Sequence, residues 1–317
     1  MSGDRAGAVV GVDVGGSGLR LQTSYAGQPG PVVTAPGVRI GSEGVDVGAL
    51  AADAASLLGD SGVDEVAAVC WSQRGLLFLS DPREVVRVVS TTLRSQRTAV
   101  VSDAVASLVG ALGGVRPGAV VAAGTGAVAF GSDFGSADTS VWRLVDGWGH
   151  VLGDRGSAAW VGLEGLRAGL RFHDGLPGGS ERLLVEGESA FGATSHWPRR
   201  LMTRTDAPAV LASFAPHVAE AAVADDPVAA AICRTAGESL AESLLSAAAG
   251  IESPVLVATG GLLAAEPVRE ALEAAVEAAG FALTPALGGA LDGALHLATV
   301  LGETGTVPRH PAYVHLG

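Results

Sequence analysis

Val9-Val10-Gly11-Val12-Asp13-Val14-Gly15-Gly16-Ser17 is an apolar run that ends in an acid, two glycines and a hydroxyl. A second apolar run leads away from Leu19 to Thr23, so the pattern predicts a β-hairpin. Glycines let backbone N–H groups approach phosphoryl oxygens, and Ser17 adds a neutral donor. The tip of the hairpin, Gly15, Gly16 and Ser17, could therefore hold a phosphate. An ordinary hairpin with a glycine turn explains the motif equally well, and the motif alone leaves both interpretations open.

Asp13 lies where the first strand of this hairpin ends, and it is the candidate metal ligand. Mg²⁺ prefers one or two carboxylates and keeps several of its waters. If the hairpin binds a phosphate, we expect Asp13 to hold Mg²⁺ through water.

Two further glycine turns follow along the chain. Gly124-Thr125-Gly126 separates the apolar runs 119–123 and 127–130, which repeats the strand–turn–strand order of the first hairpin. The two hairpins together suggest a duplicated phosphate clamp, one from each of two lobes. Thr259-Gly260-Gly261 follows strand 255–257 and precedes a helix over 266–279, and glycines there would let a flat base lie against the backbone. Each turn alone is weak evidence, but their order and spacing together favour a nucleotide site.

The composition excludes several classes of function. The 317 residues suit one large or two ordinary domains, and 48% apolar residues are ample for a core. The formal net charge of −13 argues against a surface for nucleic acid or anionic membrane. All 20 basic residues are arginine, so neither a Walker A loop nor a Schiff-base lysine can be present.

The two cysteines and the apolar segments indicate in which cellular compartment the protein is expected. Cys70 and Cys233 are far apart in apolar surroundings, so we expect buried, reduced thiols rather than a disulfide or a zinc site. No signal peptide is visible, and no apolar run reaches the roughly 18 residues that a membrane helix needs. We therefore expect a soluble, cytoplasmic protein.

The order of predicted elements indicates an α/β protein with two lobes. Three early strands are followed by alternating helices and strands, which predicts a mixed sheet with helices on its faces. A glycine- and proline-rich cluster at 113–118 is the best boundary, so we predict lobes over 1–115 and 116–317. The second lobe opens with strand, turn and strand, and carries a long helix over 227–249. The tail 307–317 is expected to be loosely held.

Asp103 follows a buried strand, 98–102, at the point where a helix starts. In an open α/β sheet that edge faces the ligand crevice. A carboxylate there could accept the proton of a hydroxyl that attacks the γ-phosphate. Serine or aspartate at a helix start is also often a simple N-cap, so a cap is the alternative.

The run from Gly147 to Ser157 is a glycine-rich loop that contains one large aromatic residue, Trp148, and one acid, Asp154. Sugar sites commonly combine an apolar surface for the ring with a carboxylate for the hydroxyls. A tight turn with a core tryptophan is the alternative interpretation. His150 is expected to pack in the loop, and no histidine shows the spacing of metal ligands.

The order of the three turns resembles that of the acetate kinase/sugar kinase/Hsp70/actin superfamily. The loop 147–157 resembles the Gly-Trp-Gly…Gly-Asp-Glu-Gly-Ser block of the N-acetylglucosamine kinase/BadF-BadG-BcrA-BcrD ATPase family, and the resemblance runs from about Gly11 to about Leu297. It implies a two-lobed actin-like ATPase (ribonuclease H-like) fold, each lobe being a mixed sheet flanked by helices, with the helix over 288–301 crossing back to the first lobe. It also implies ATP and Mg²⁺ as cofactors, Asp103 as the catalytic base, and a sugar site formed by Gly147, Trp148, Asp154 and Ser157.

The function implied by this resemblance is an ATP-dependent hexosamine kinase, most simply for the 6-hydroxyl of N-acetylglucosamine. Glucosamine, N-acetylmuramic acid and a non-catalytic sugar- and ATP-binding role are alternatives. A redox-activator ATPase is disfavoured because Cys70 and Cys233 cannot ligate an iron–sulfur cluster. The expected partners are a small amino sugar and a second copy of the chain, with no nucleic acid and no membrane.

The chain departs from the family pattern on the substrate side. It lacks the lysine expected soon after Ser17, the asparagine expected near residues 35–39, and the small turn expected at 70–75. Arg155 stands where the family has glutamate. Arg155 could pair with the lactyl carboxylate of N-acetylmuramic acid, point to solvent, or pair with a nearby acid such as Glu164.

Overall fold

The computed structural model describes residues 7–15, 18–36, 40–41, 44–136, 139–204 and 206–317. Gly16, Ser17 and residues 37–39 therefore lie outside the described residues. The chain divides into two compact units. The first contains Met1–Pro117, Ser132–Val141 and Ala286–Gly317, and the second contains Gly118–Gly131 and Trp142–Pro285. Whether these units are the two predicted ATPase lobes stays a prediction.

The secondary structure alternates strands and helices in both units. The strands are β1 (Ala8–Gly15), β2 (Gly18–Tyr25), β3 (Gln28–Ala35), β4 (Ile40–Gly41), β5 (Gly44–Val45), β6 (Val66–Gln73), β7 (Thr98–Ser102), β8 (Gly118–Ala123), β9 (Ala127–Ser132), β10 (Trp142–Asp146), β11 (Val255–Thr259), β12 (Leu283–Thr284) and β13 (Val314–Leu316). The helices are α1 (Val47–Asp60), α2 (Leu76–Leu79), α3 (Pro82–Leu93), α4 (Asp103–Leu112), α5 (Ala158–His173), α6 (Glu181–Phe191), α7 (Trp197–Met202), α8 (Ala207–Ala212), α9 (Ala215–Val223), α10 (Pro227–Ala248), α11 (Glu266–Ala278) and α12 (Ala290–Thr304). Short 3₁₀ helices cover Thr194–His196 and Gly261–Ala264.

The first unit is built on a six-stranded sheet in the order β13-β7-β6-β1-β2-β3. Strands β1, β6 and β7 are parallel neighbours, whereas β2, β3 and β13 are antiparallel to theirs. The central strands are buried on both faces, and their sequences are nearly continuous apolar runs. This pattern is typical of parallel strands that helices cover on both sides. Pro29 and Pro31 fall in β3, the edge strand, where a missing N–H is tolerated.

Helix α12 packs closely against β1 and α4 in the first unit. A Cβ added at Gly293 would lie 1.9 Å from the Ala106 carbonyl oxygen, and one added at Gly110 would lie 1.9 Å from that of Gly289. A Cβ at Gly11 would lie 2.6 Å from the Leu295 backbone nitrogen. The two helices and the strand therefore meet backbone to backbone, which only glycine permits at these positions.

We expect Gly293→Ala to destabilise the protein by about 3 kcal/mol, because the added methyl meets backbone that cannot rotate away. The change in the free energy of unfolding would be measured in urea. Gly59→Ala on α1 is the matched control: a Cβ at Gly59 meets nothing within 4 Å, so helix propensity should make it neutral or stabilising by up to about 1 kcal/mol. Equal stability of the two variants would contradict the close helix crossing.

The second unit is built on a five-stranded sheet in the order β10-β9-β8-β11-β12. Strands β8, β11 and β12 are parallel. Its core joins the sheet to the helices that follow, with fully buried residues such as Phe214, Leu240 and Leu272. Helix α10 contacts α9, α11 and β8, so this long helix organises the core of the unit.

The predicted α/β class, with mixed sheets flanked by helices, is confirmed. The expected loose tail is wrong, because β13 pairs with β7 and buries Val314. Cys70 and Cys233 are buried and free, as expected, and burial raises the pKa of both thiols. Among the described residues no single helix is long and apolar enough to cross a membrane. The helical segments 207–223 and 227–248 reach the required length and hydropathy only when they are taken together, and the chain bends by 118° between them.

Candidate active site

The carboxyl ends of β1, β6 and β7 bring several polar side chains to one edge of the first sheet. These strands are parallel neighbours, with Asp13 in register with Ser72, and Gln73 in register with Ser102. Asp13 and Asp103 therefore share this edge, and the charges of Asp13 and Arg74 are both close enough to Asp103 to affect its pKa. The edge matches the place where α/β sheets bind ligands.

Asp13 is buried, and both of its carboxylate oxygens have partners. The Arg20 Nη2 lies 2.5 Å from Oδ2, and the Ser72 hydroxyl donates to Oδ1 at 3.2 Å. Arg20 stands directly opposite Asp13 in the hairpin, and about half of its side chain is exposed. The sequence interpretation missed Arg20. The available signal was its position on the returning strand of the predicted hairpin, where antiparallel pairing places it opposite Asp13.

Asp103 is the first residue of α4, but it is not the residue that caps the helix. The N-cap is Ser102, whose hydroxyl accepts the Val105 N–H at 3.4 Å. The Asp103 carboxylate accepts the N–H of Ala104 at 3.0 Å. The pKa of Asp103 is raised to about 6: burial raises it most, the Arg74 guanidinium opposes that rise, and the Asp13 charge adds to it. The group is thus ionised at neutral pH yet more basic than an ordinary aspartate, as a general base requires.

In the second unit, the turn Gly124-Thr125-Gly126 is fixed to the start of α5. The Gly124 and Thr125 carbonyls accept the N–H groups of Ala158 and Ala159 at 2.9 and 3.1 Å. A Cβ at Gly126 would lie 2.7 Å from the Asp154 Oδ2. The predicted phosphate turn and the predicted sugar loop therefore touch through Gly126 and Asp154.

The loop 147–157 is organised by Asp146, a residue that the sequence interpretation missed. Its buried carboxylate accepts the backbone N–H groups of Gly147, Asp154 and Arg155 at 2.8, 2.7 and 3.1 Å. Asp146 and Asp154 both have positive φ, 61° and 54°, a conformation that aspartate tolerates better than most residues. Nothing in the sequence marked Asp146, since its role depends on how the loop folds around it.

Arg155 pairs within its own unit. Its Nε lies 3.3 Å from an Asp146 oxygen, and its Nη1 lies 2.9 Å from a Glu242 oxygen. Glu164, which the sequence suggested as a partner, pairs with Arg167 instead. Arg155 thus pairs with acids, but these are Asp146 and Glu242 and not Glu164.

The tip of the loop is exposed. Trp148 is 63% exposed, and Val151 and Leu152 are 78% and 82% exposed. The alternative of a core tryptophan is therefore wrong, and so is the expectation that His150 packs in the loop, since His150 is exposed. Ser157 is fully buried and caps α5 by accepting the Trp160 N–H at 3.1 Å. The roles of Gly147, Trp148, Asp154 and Ser157 toward a sugar stay predictions.

The third turn borders a cavity of about 370 Å³ in the second unit. Gly261 and Ala158 line it together with small residues of α8 and α9. These are Ala212, Ala215, Pro216 and Ala219, with Glu220 as the charged group. A Cβ at Gly261 would meet nothing within 4 Å, whereas one at Gly260 would lie 2.1 Å from the Ala123 carbonyl oxygen at the end of β8. The turn thus packs on β8 through Gly260 and faces open space through Gly261.

Metal binding is tested by the chemistry of the donors. Within the ranges that the structure describes, no group of three or more His, Cys, Asp or Glu side chains is placed to hold a metal. Mg²⁺ does not need such a group, since one or two carboxylates with retained waters suffice. Asp13 fits that requirement, provided that its Oδ2 binds the hydrated ion together with Arg20 or in place of Arg20.

Comparison with known proteins gives a family match, a curated relative and similar solved structures. Residues 66–291 match the model of the BadF/BadG/BcrA/BcrD ATPase family, a range that includes Asp103, the second and third turns and the loop 147–157. A protein named N-acetylmuramic acid/N-acetylglucosamine kinase from Clostridium acetobutylicum is 29% identical over 135 residues, which cover 41% of this chain and only 40% of that protein.

Solved structures show the same fold. A provisionally assigned N-acetylglucosamine kinase from Chromobacterium violaceum has a TM-score of 0.71 and 23% identity, and the alignment covers 93% of this chain and 99% of that one. A similarly assigned protein from Porphyromonas gingivalis has a TM-score of 0.71 and 16% identity, with 94% and 100% covered.

Proposed function

This chain belongs to the BadF/BadG/BcrA/BcrD ATPase family, and on that premise we propose that it is an ATP-dependent amino-sugar kinase. The observation that carries the proposal is Asp103. It lies at the carboxyl end of a parallel strand, near enough to Asp13 for the two charges to interact, and its pKa is raised to about 6. That position and basicity suit a group that accepts the proton of a sugar hydroxyl during phosphoryl transfer.

The described residues fit the cofactors that this function needs. The small-walled cavity beside Gly260 and Gly261 suits an adenosine, and the turn Gly124–Gly126 suits phosphates. Gly15, Gly16 and Ser17 stay phosphate-binding candidates on the sequence pattern alone. Asp13 would hold Mg²⁺ through water. When bound, Mg²⁺ and ATP would supply the phosphoryl group and neutralise its charge. Asp103 would orient the acceptor hydroxyl and take its proton.

We further propose N-acetylglucosamine, phosphorylated at its 6-hydroxyl, as the substrate, held by Gly147, Trp148, Asp154 and Ser157. The Clostridium relative is named for N-acetylmuramic acid as well, which makes that sugar one alternative. Glucosamine is the other alternative. A cytoplasmic homodimer is part of the same proposal. A non-catalytic sugar- and ATP-binding role remains the second candidate, because the family's lysine and asparagine are missing.

The direct test is a panel of amino sugars incubated with Mg²⁺, ATP and the protein, followed by mass spectrometry of the products. A hexosamine phosphate that forms with the wild type and not with Asp103→Asn would support the proposal. Absence of any phosphorylated sugar across the panel would contradict it. Binding of ATP and a sugar without turnover would instead favour the non-catalytic role.

We expect kcat/KM to fall below a pH of about 6, because a general base must be ionised and burial raises the pKa of Asp103 to about that value. The Arg74 charge lowers this pKa, so Arg74→Gln should move the acid limb of the profile to a higher pH. Arg87→Gln, which removes an equal charge on α3, should leave the limb in place. A profile that is flat through pH 6, or a downward shift in Arg74→Gln, would contradict this assignment.

Arg155→Gln should leave the ratio of kcat/KM for N-acetylmuramic acid over N-acetylglucosamine within twofold of the wild type. The reason is that the guanidinium is already paired with Asp146 and Glu242. Steady-state kinetics with both sugars would measure the ratio. If Arg155 recognises the lactyl carboxylate, the ratio should instead fall tenfold or more, since a charge-assisted hydrogen bond is worth about 1.5–3 kcal/mol.

A further inference from the structure

A second cavity lies in the first unit, between the start of α3 and the carboxyl-terminal tail. It measures about 460 Å³, within the range of small-molecule sites. Its walls include Arg83 and Val86 from α3, and Arg309, His310, Val314 and His315 from the tail. None of its lining residues belongs to the candidate active site.

The cavity gathers positive charge in a chain whose net charge is −13. Within the described residues, neither Arg83 nor Arg309 lies within ion-pair distance of a carboxylate. The two acids at the start of α3 have other partners. Asp81 accepts the backbone N–H of Arg83, and Glu84 accepts two hydrogen bonds from Arg87. Two guanidinium groups thus face the cavity without a neutralising side chain.

Two imidazoles line the cavity beside these guanidinium groups. The His315 Nε2 is buried and has no hydrogen-bond partner among the described residues. The His310 Nδ1 accepts the Ala312 N–H at 3.2 Å, which places the proton of the neutral ring on Nε2. Burial, followed by the nearby His315, lowers the pKa of His310. A buried polar atom without a partner is costly, so the His315 Nε2 favours a hydrogen-bond partner from outside the chain, and a phosphate group would serve as the acceptor when the proton is on Nε2.

We propose that this cavity binds a small phosphate ester. Guanidinium forks bind phosphate oxygens in bidentate fashion, and two of them match the double charge of a phosphomonoester. Val86 and Val314 provide an apolar wall for the organic part, which a bare inorganic anion would leave unused. The proposal does not depend on the kinase activity.

Ribose 5-phosphate is a suitable probe, with inorganic phosphate and ribose as comparisons, titrated into the full chain by calorimetry. We expect saturable binding of ribose 5-phosphate, weaker binding of inorganic phosphate and none of ribose. The double variant Arg83→Ala/Arg309→Ala should weaken binding at least tenfold. Arg87→Ala, the matched control on the same helix, should bind within twofold of the wild type.

Imidazole NMR signals locate the ligand. Ribose 5-phosphate should shift the signals of His310 and His315 more than those of the other histidines. Absence of saturable binding, an equal loss in Arg87→Ala, or shifts that spare His310 and His315 would each overturn the proposal. Equal affinity for inorganic phosphate and ribose 5-phosphate would also overturn it, because the cavity would then select only the anion.

Discussion

Asp103→Asn is expected to lower kcat by about 10²–10⁴-fold, the usual loss for a general base, while making the folded protein more stable. The two effects come from the same cause. Burial raises the pKa of the Asp103 carboxyl to about 6, so the folded protein holds a charge that water would solvate better. Asparagine keeps the shape of the side chain and removes both the base and the buried charge.

The sign of the stability effect follows from proton linkage. The pKa of Asp103 is higher in the folded state than in the unfolded chain, where it is about 3.9. The folded state therefore binds more protons between pH 4 and 6, and Asp103 destabilises it increasingly as the pH rises through that window. Since one pKa unit corresponds to 1.36 kcal/mol, Asp103→Asn should gain at most about 3 kcal/mol above pH 6 and almost nothing at pH 4.

Ser102→Ala is the matched control, because it removes the true cap of α4. It should lose about 1 kcal/mol of stability at every pH and keep most of the activity. Thermal unfolding at pH 4 and pH 7.5, together with kcat for the best amino sugar, would measure both variants. An Asp103→Asn variant with activity within threefold of the wild type, or with a lowered melting temperature at pH 7.5, would show that Asp103 serves the helix rather than the reaction.

The sequence was sufficient for features that depend on local pattern. The strand before Asp103, the helix after it and the turn at Gly124–Gly126 follow from hydrophobic runs and glycine punctuation, and the structure has all three. The long helix over 227–249 was likewise visible, because an uninterrupted alanine-rich segment starts at a proline after an aspartate cap.

The sequence was not sufficient where a role depends on contacts between distant segments. Arg20 meets Asp13 because the hairpin register places them opposite each other. Asp146 holds backbone groups up to nine residues away, an arrangement that no spacing rule encodes. The tail looked loose because it contains two prolines, yet pairing with the exposed edge of β7 orders it. In each case tertiary contacts outweigh local propensity.

The adjacent glycines of the third turn should respond oppositely to substitution. Gly260→Ala should destabilise the second unit by more than about 3 kcal/mol, because strain at an unfavourable φ adds to a backbone clash. Gly260 has φ +111°, and its added Cβ would lie 2.1 Å from the Ala123 carbonyl oxygen. This part of the prediction concerns folding and would be measured by thermal unfolding without nucleotide.

Gly261→Leu should leave the melting temperature without nucleotide unchanged and raise the KM for ATP at least tenfold. The added side chain meets no protein atom within 4 Å at its Cβ, but it enters the cavity of about 370 Å³ where we place the adenosine. At saturating ATP the kcat should recover, because the leucine hinders nucleotide binding and leaves the Asp103 carboxyl unchanged. A normal KM for ATP in Gly261→Leu would place the nucleotide elsewhere. A loss of stability as large as that of Gly260→Ala would show that both glycines serve only the packing of the turn on β8.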